Sequence, residues 1–227
     1  MARTTTDRFR VVTGSINALQ LCGVYLMDAG APPRVADAEV IPFRELGALA
    51  RSVPYYAMEP KDDDVAAYRA IVEGIFSTRP VVPAPYGLIF RSRDSLLTWM
   101  ELHYVTLVDA VRFLEERVMA RVRVTPGLST SSWATREISK VGHDLEVTAF
   151  DSFRVLKKHA VAFVAIDRDD NNPLTIDGAE GAFLLEREQW NAFSAVVKDE
   201  QRRLPDLRIE QSGPWPPYDF VKLEFGG

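Results

Sequence analysis

The alternation of apolar and polar residues is most regular in the second half of the chain. Val118–Val124 alternates as a half-buried strand does, and "HAVAFVAID", "GAFLLER" and "DLRIEQS" are further short β-prone runs. Between them, Trp133–Leu156 and "EQWNAFSAVVKDEQRRL" repeat apolar residues every three or four positions, as amphipathic helices do. The order strand, helix, strand, strand, helix, strand predicts a ferredoxin-like βαββαβ unit, with both helices on one face of an antiparallel sheet.

The first half shows shorter and less regular apolar runs. "LQLCGVYLM" (Leu19–Met27) and "AEVIPF" predict two strands, and "VPYYAM" predicts a third. In "FRELGALARSV", Phe43, Leu46, Leu49 and Ala50 recur at helical spacing, so the pattern predicts a helix there. The first half is therefore expected to mix strands and helices.

Three further stretches of the first half have clear local signals. Asp62–Asp64 immediately precedes the apolar face of "VAAYRAIVEGIF", which indicates the N-terminus of a helix rather than a metal site. The three prolines of "RPVVPAPYGLIF" prevent a central strand, so pairing is expected only near Leu88–Phe90. "SRDSLLTWMELHYVTLVDAVRFLEERV" predicts one long amphipathic helix.

Together these elements predict an α+β protein of two domains. Residues 1–17 are polar and threonine-rich and are expected to form a flexible tail. An N-terminal α+β domain is expected over residues 18–117, and the C-terminal ferredoxin-like domain over residues 118–227.

Composition and charge limit the possible partners and compartment. With 47% hydrophobic and 26% charged residues, the 227-residue chain can bury a substantial core. Its net charge of −5 and its lack of a lysine and arginine cluster argue against nucleic acid as a partner. Cys22 is the sole cysteine, which excludes an intrachain disulfide. Neither a secretory signal nor a membrane span is evident, so a soluble, cytoplasmic protein is expected.

The usual catalytic motifs are missing from the sequence. It contains no G-x-G-x-x-G after a strand, no Walker A loop, no H-E-x-x-H and no G-x-S-x-G. Asp167, Asp169 and Asn171 match the first ligands of a calcium loop, but the glycine and glutamate expected later are replaced, so a polar loop is predicted instead. No catalytic residue, metal site or cofactor is therefore expected.

The segment "GPWPPYDF" (Gly213–Phe220) is the most distinctive of the chain. Its three prolines fix their own φ angles and push the preceding residues out of the α region, so the segment is stiff and extended. Trp215 and Tyr218 project from it and allow two interpretations. They either close a corner of the core or present a rigid aromatic surface to a protein partner.

This segment closely resembles the C-terminal signature G-P-W-P-P-Y-S-F of the gas vesicle protein family GvpL/GvpF. "CGVYLM", "RPVVPAPYGLIF" and "GAFLLEREQWNAFSAVV" resemble further family segments in the same order. The resemblance implies two α+β domains, the second ferredoxin-like. It also implies a non-enzymatic accessory protein of gas vesicle formation, in the cytoplasm or associated with the vesicle. Its partners would be the small hydrophobic shell protein and other gas vesicle accessory proteins.

The sequence departs from the family pattern at Pro85, Tyr86 and Asp219, where the family usually has arginine, phenylalanine and serine. Two hypotheses remain. In the first, an assembly factor binds its partner through an aromatic surface that contains Trp215, Tyr218, Pro216, Pro217 and Tyr86. In the second, the protein has been recruited to another pathway and binds a small molecule or substrate in a cleft between the domains. In that cleft, Tyr86 would meet Glu101, His103 and Tyr104.

Overall fold

The computed structural model describes residues 17–28, 33–55, 61–127, 138–166 and 178–221, with side chains from Val147 onward in the helix that starts at residue 138. The described strands form two antiparallel sheets, which use separate parts of the chain. The helices that cover these sheets are α1 (Asp62–Phe76), α2 (Arg93–Leu102), α3 (Tyr104–Leu114), α4 (Ile138–Leu156) and α5 (Trp190–Arg203).

The first sheet, here called sheet A, is built by the first half of the chain. Its order is β2-β3-β1-β4, and β5 pairs with β1 beside β4. Helix α1 covers one face through Cys22 and Leu49, and α2 and α3 cover the other through Leu21 and Ala48. The strands are β1 (Asn17–Leu26), β2 (Glu39–Phe43), β3 (Leu46–Pro54), β4 (Val82–Pro83) and β5 (Ile89–Phe90).

The second sheet, sheet B, has the ferredoxin-like order β7-β8-β6-β9, which confirms the predicted βαββαβ unit. Helices α4 and α5 pack on one face, where the rings of Phe153, Phe183 and Phe193 are in contact, with centroids 5.8 Å and 5.3 Å apart. Aromatic pairs at these separations add to the stabilisation that burial alone gives. The strands are β6 (Arg117–Pro126), β7 (Ala162–Ile166), β8 (Ala179–Glu186) and β9 (Leu207–Trp215).

The structure corrects the predicted helix in "FRELGALARSV". Leu46–Pro54 is strand β3, which pairs with β1 on one side and β2 on the other. Leu46, Ala48 and Ala50 face one core cluster and Leu49 faces another, so the strand is buried on both faces. A strand buried on both faces is a continuous apolar run without alternation, and such a run also satisfies helical spacing.

The predicted long helix is interrupted at His103, which ends α2 and precedes α3. Its φ and ψ of −104° and 11° are non-helical. The apolar face nevertheless continues across the interruption, because Met100 and Leu107 are both buried. Periodicity of the buried positions therefore cannot reveal this break.

Other predictions have mixed outcomes. Asp62–Asp64 forms the first turn of α1, as predicted. Tyr218–Phe220, at the end of the segment "GPWPPYDF", is a 3₁₀ turn. The calcium-like loop at Asp167–Asn172, residues 1–16 of the predicted tail and the second half of "VPYYAM" lie outside the described residues.

Among the described helices, none is both long enough and apolar enough to span a membrane.

Gly47 and Gly74 give a matched test of packing in sheet A. A Cβ on the buried Gly47 would lie 2.7 Å from the ring of the fully buried Tyr25, whereas one on Gly74 in α1 would meet nothing within 4 Å. Gly47→Ala should therefore lower the free energy of unfolding by about 1–3 kcal/mol. Gly74→Ala should raise it by up to about 1 kcal/mol, because alanine favours the helix. Urea denaturation measures both, and equal effects would contradict the packing described here.

Candidate functional site

A cleft of about 520 Å³ opens where α1, the proline-rich stretch before β5 and sheet B meet. We call it the aromatic cleft. It receives residues from both halves of the chain, including those of the motif that ends β9. The residues that line it are Val65, Tyr68, Arg69, Glu73, Pro83, Ala84, Pro85, Tyr86, Met119, Arg121, Arg123, Glu180, Ser212, Trp215, Tyr218 and Val221.

Four aromatic side chains form one wall of this cleft. Tyr68 is central, because its ring meets Tyr86 edge to face at 5.6 Å and lies 6.3 Å from the ring of Tyr218. The Tyr68 hydroxyl donates a hydrogen bond to the backbone oxygen of Ala84, which fixes the proline-rich stretch beside α1. Trp215 completes the wall. Tyr86, Trp215 and Tyr218, which sequence analysis singled out, are thus brought together in one site.

The segment that carries Trp215 is held by backbone constraints. Gly213 has a φ of 119°, and a Cβ there would lie 2.8 Å from the backbone oxygen of Met119, so only glycine fits. The Gly213–Pro214 peptide bond is cis. Trp215 then pairs with Met119 on β6, and its Nε1 donates to Ser212 Oγ at 3.1 Å.

Pro216 and Pro217 follow at once and are buried. They do not line the aromatic cleft, unlike Trp215 and Tyr218 on either side of them. Their fixed φ angles restrict the backbone between the two aromatic residues.

Charged side chains form another part of the cleft lining. Arg121 on β6 donates from Nη2 to both carboxylate oxygens of Asp219, at 2.9 Å and 3.1 Å, and from Nε at 3.2 Å. Glu180 on β8 accepts from Arg123 at 2.8 Å and lies 3.7 Å from Arg121. Asp219, one of the departures from the family motif, therefore fastens the C-terminal segment to the middle of sheet B.

Burial controls the protonation of the tyrosines and of the cysteine near this site. Burial raises the pKa of Tyr68 and of Tyr218 well above the ordinary value of 10.0. Tyr218 adds a smaller increase to the pKa of Tyr68, and Glu73 adds one to the pKa of Tyr218. Burial also raises the pKa of the Cys22 thiol to about 12, against a smaller opposing effect of Arg51. These groups are neutral at ordinary pH and can take part in packing and hydrogen bonding, but not as anions.

The residues of the alternative cleft are not brought together with Tyr86. Glu101, His103 and Tyr104 lie at the junction of α2 and α3, and none of them lines the aromatic cleft. His103 packs against Trp99, with ring centroids 5.0 Å apart. The hydroxyl of Tyr104 donates to Glu45 at 3.1 Å.

Sequence reasoning missed the polar wall of the cleft. Arg121, Arg123 and Glu180 were available as the polar positions of two predicted strands. Their alternation indicates that they share one face of sheet B, but not that α1 and the C-terminal segment lie opposite that face. Tyr68 belongs to the predicted apolar face of "VAAYRAIVEGIF" and is buried, and its hydroxyl nevertheless reaches the cleft wall.

Ionisation of Tyr218 should weaken the fold at alkaline pH. The pKa of Tyr218 is higher in the folded state than in the unfolded state. The contribution of the neutral Tyr218 side chain to stability is therefore complete below about pH 10 and is lost as the pH rises towards the folded-state pKa. The free energy of unfolding should therefore fall above pH 10, and Tyr218→Phe should reduce that slope by at most about 1.4 kcal/mol per pH unit. Chemical denaturation at several pH values measures it. Tyr55→Phe, at an exposed tyrosine, is the matched control, and equal slopes for the two variants would contradict the prediction.

Comparison with known proteins places the chain among gas vesicle proteins. The model of the family "Gas vesicle synthesis protein GvpL/GvpF" matches residues 28–146 and 141–222. Gas vesicle protein F1 of Halobacterium salinarum is 24% identical over 200 residues, which cover 85% of this chain and 86% of the relative. Gas vesicle protein F of Haloferax mediterranei is 23% identical over 201 residues, with coverages of 85% and 86%.

Two crystal structures have a similar fold. GvpF from Anabaena sp. PCC7120 superposes with a TM-score of 0.72 at 15% identity and covers 92% of this chain and 100% of its own. GvpF from Microcystis aeruginosa gives a TM-score of 0.66 at 15% identity, with coverages of 91% and 99%. The family match extends over most of the described chain and includes the segment that carries Trp215. The chain belongs to the GvpL/GvpF family of gas vesicle synthesis proteins.

Proposed function

We propose that this protein is an accessory factor of gas vesicle formation that binds an apolar segment of the small hydrophobic shell protein in the aromatic cleft. It assists assembly of that subunit and catalyses no reaction. The observation that carries the proposal is the convergence of Tyr86, Trp215 and Tyr218 on one cleft, from two distant parts of the chain. Membership of the family supports the pathway, and the cleft supports the mode of binding.

The cleft wall is preorganised for binding. Trp215 is fixed by its pairing with β6 and by the buried prolines that follow it, and Tyr68 is fixed by its hydrogen bond to Ala84. Side chains that are already ordered lose little conformational entropy on binding. Tryptophan and tyrosine are also the residues that most often dominate the binding energy of protein interfaces.

The charges of the cleft suit an uncharged segment of a partner. Arg121 and Arg123 are paired with Asp219 and Glu180, and α1 adds one lining residue of each sign, Arg69 and Glu73. A partner therefore meets aromatic rings beside charges of both signs rather than a surface of one sign. This arrangement resembles an interface core with a polar rim.

A small-molecule ligand in the same cleft is the second candidate. The volume of about 520 Å³ lies within the range of roughly 300–1,000 Å³ that ligand pockets have, and aromatic walls with a few polar groups are typical of them. Native mass spectrometry of the protein purified from its own cells distinguishes the candidates. A retained small molecule that Trp215→Ala removes would favour the ligand, and an empty cleft would favour the protein partner.

Trp215→Ala should weaken binding of the shell protein. Peptides that span the shell protein sequence are immobilised, and the dissociation constant of the full chain is measured for each. Loss of a hot-spot tryptophan costs about 2 kcal/mol, so the dissociation constant for the bound peptide should rise about 30-fold.

Tyr55→Ala is the matched control, because Tyr55 is aromatic and exposed but does not line the cleft. It should leave the dissociation constant unchanged. Thermal unfolding confirms that both variants fold. A folded Trp215→Ala protein that binds the peptide as tightly as the wild type would refute the role of the cleft.

A further inference from the structure

An apolar stripe is exposed along the end of α2 and the outer face of α3. Leu102, Val105 and Phe113 are 77%, 69% and 51% exposed, and with Asp109 they follow the helical spacing i, i+3, i+7 and i+11. Val105, Asp109 and Phe113 share one face of α3, and Leu102 lies at the end of α2, just before the break at His103. Large apolar side chains grouped in this way mark an interaction surface.

The free charges beside this stripe are negative. Glu101, Asp109 and Glu116 are exposed and form no ion pair with any other described residue. The neighbouring cations are engaged, since Arg112 lies 3.9 Å from Glu45 and Arg117 lies 3.1 Å from Glu186. The guanidinium of Arg117 also lies over the ring of Phe113, 4.1 Å from its centroid. We call Leu102, Val105, Asp109 and Phe113 the acidic stripe.

Helix α4 and the turn after it carry a stripe of the same spacing and the opposite charge. Val147 and Phe150 are 51% and 47% exposed, and Arg154 and Lys158 continue the series i, i+3, i+7 and i+11. Arg154 is engaged with the exposed Asp151 at 3.2 Å, so the free positive charge of this stripe is that of Lys158, which forms no ion pair with another described residue. We call Val147, Phe150, Arg154 and Lys158 the basic stripe.

The two stripes cannot meet within one molecule. Helix α3 packs Val111 and Leu114 against Leu184 of β8, and α4 packs Phe153 against the adjacent Phe183. Adjacent residues of a strand point to opposite faces of its sheet. The helices therefore lie on opposite faces of sheet B, and their exposed stripes point away from each other.

We propose that the acidic stripe of one copy of this chain binds the basic stripe of a second copy. Within one sequence the stripes match in spacing and differ in sign, and complementary charge favours and orients such a contact. Because the two stripes are different surfaces, the contact is heterologous. Two bound copies still have one acidic stripe and one basic stripe free, and each of these can bind a further copy. The chain thus assembles head to tail into rows or rings. This inference is independent of binding in the aromatic cleft.

A pair of stripe variants tests the proposal on the full chain. Val105→Ser with Asp109→Ser disrupts the acidic stripe, and Phe150→Ser with Lys158→Ser disrupts the basic stripe, so that the two altered stripes carry no unpaired charge and do not attract each other. Analytical ultracentrifugation should show that the wild type forms larger species as its concentration rises. Each variant alone should be a monomer, with association weakened at least tenfold.

Mixing the two variants gives the decisive result. One retains an intact basic stripe and the other an intact acidic stripe, so an equimolar mixture should form a heterodimer and grow no further. The heterodimer forms only if both variants are folded. The single changes Asp109→Ser and Lys158→Ser, at exposed charges, repeat the experiment if a double variant fails to fold. Glu188→Lys reverses an exposed charge in neither stripe and should associate as the wild type does.

Three outcomes would overturn the proposal. A wild type that stays monomeric at the highest soluble concentration would show that the stripes do not bind each other. Variants that associate as the wild type does would place the contact elsewhere. Folded variants that are monomeric alone and remain monomeric when mixed would exclude a heterologous contact between these two stripes.

Discussion

Packing of α3 and β4 against sheet B joins the two halves of this chain. Val82, Val111 and Leu114 form one buried cluster with Leu184, while the adjacent Phe183 and Leu185 belong to the cluster under α4 and α5. Strand β8 is therefore apolar on both faces. A strand in an antiparallel sheet with one solvated face would be polar on that face. Burial of this second face removes apolar surface from water and holds the first half of the chain on the ferredoxin-like unit.

The aromatic cleft lies where this cover of sheet B ends. Arg121, Arg123 and Glu180 point to the same face as Leu184 but beyond α3, so that α1 and the C-terminal segment stand across from them. The ion pair of Arg121 with Asp219 then draws the C-terminal segment over the sheet. Since Tyr218 immediately precedes Asp219, this pair also sets the position of the aromatic wall. The family's usual serine could accept a hydrogen bond from the arginine but could not form this bidentate, charge-assisted contact.

The ferredoxin-like half was predictable from sequence because its local and tertiary requirements agree. Strand β6 alternates and α5 has one apolar face, so each element shows its own period. Strand β3 was not predictable, since burial on both faces removes alternation and leaves an apolar run that a helix also fits. The break at His103 was not predictable either, because the buried face of α2 continues into α3.

The site was partly predictable in the same sense. The stiffness of "GPWPPYDF" and the projection of Trp215 and Tyr218 follow from proline geometry. The meeting of these residues with Tyr86 and Arg121 depends on how two separate sheets pack, which no local pattern contains. The domain boundary near residue 117 remains a prediction, although Arg117 is also the first residue of sheet B.

The cleft and the two exposed stripes share no residue, and this separation has a consequence for assembly. The cleft opens between α1 and the β6 and β9 side of sheet B, while the stripes lie on α3 and α4, over its two faces. Copies joined through their stripes would each keep an unobstructed set of cleft residues. A row of such copies would present identical sites at regular intervals, so that several copies of one partner could bind side by side. Binding to an ordered row raises the effective concentration of each neighbouring partner without any additional contact. The physical requirement is only that the stripes and the cleft act independently, which their placement on different elements provides.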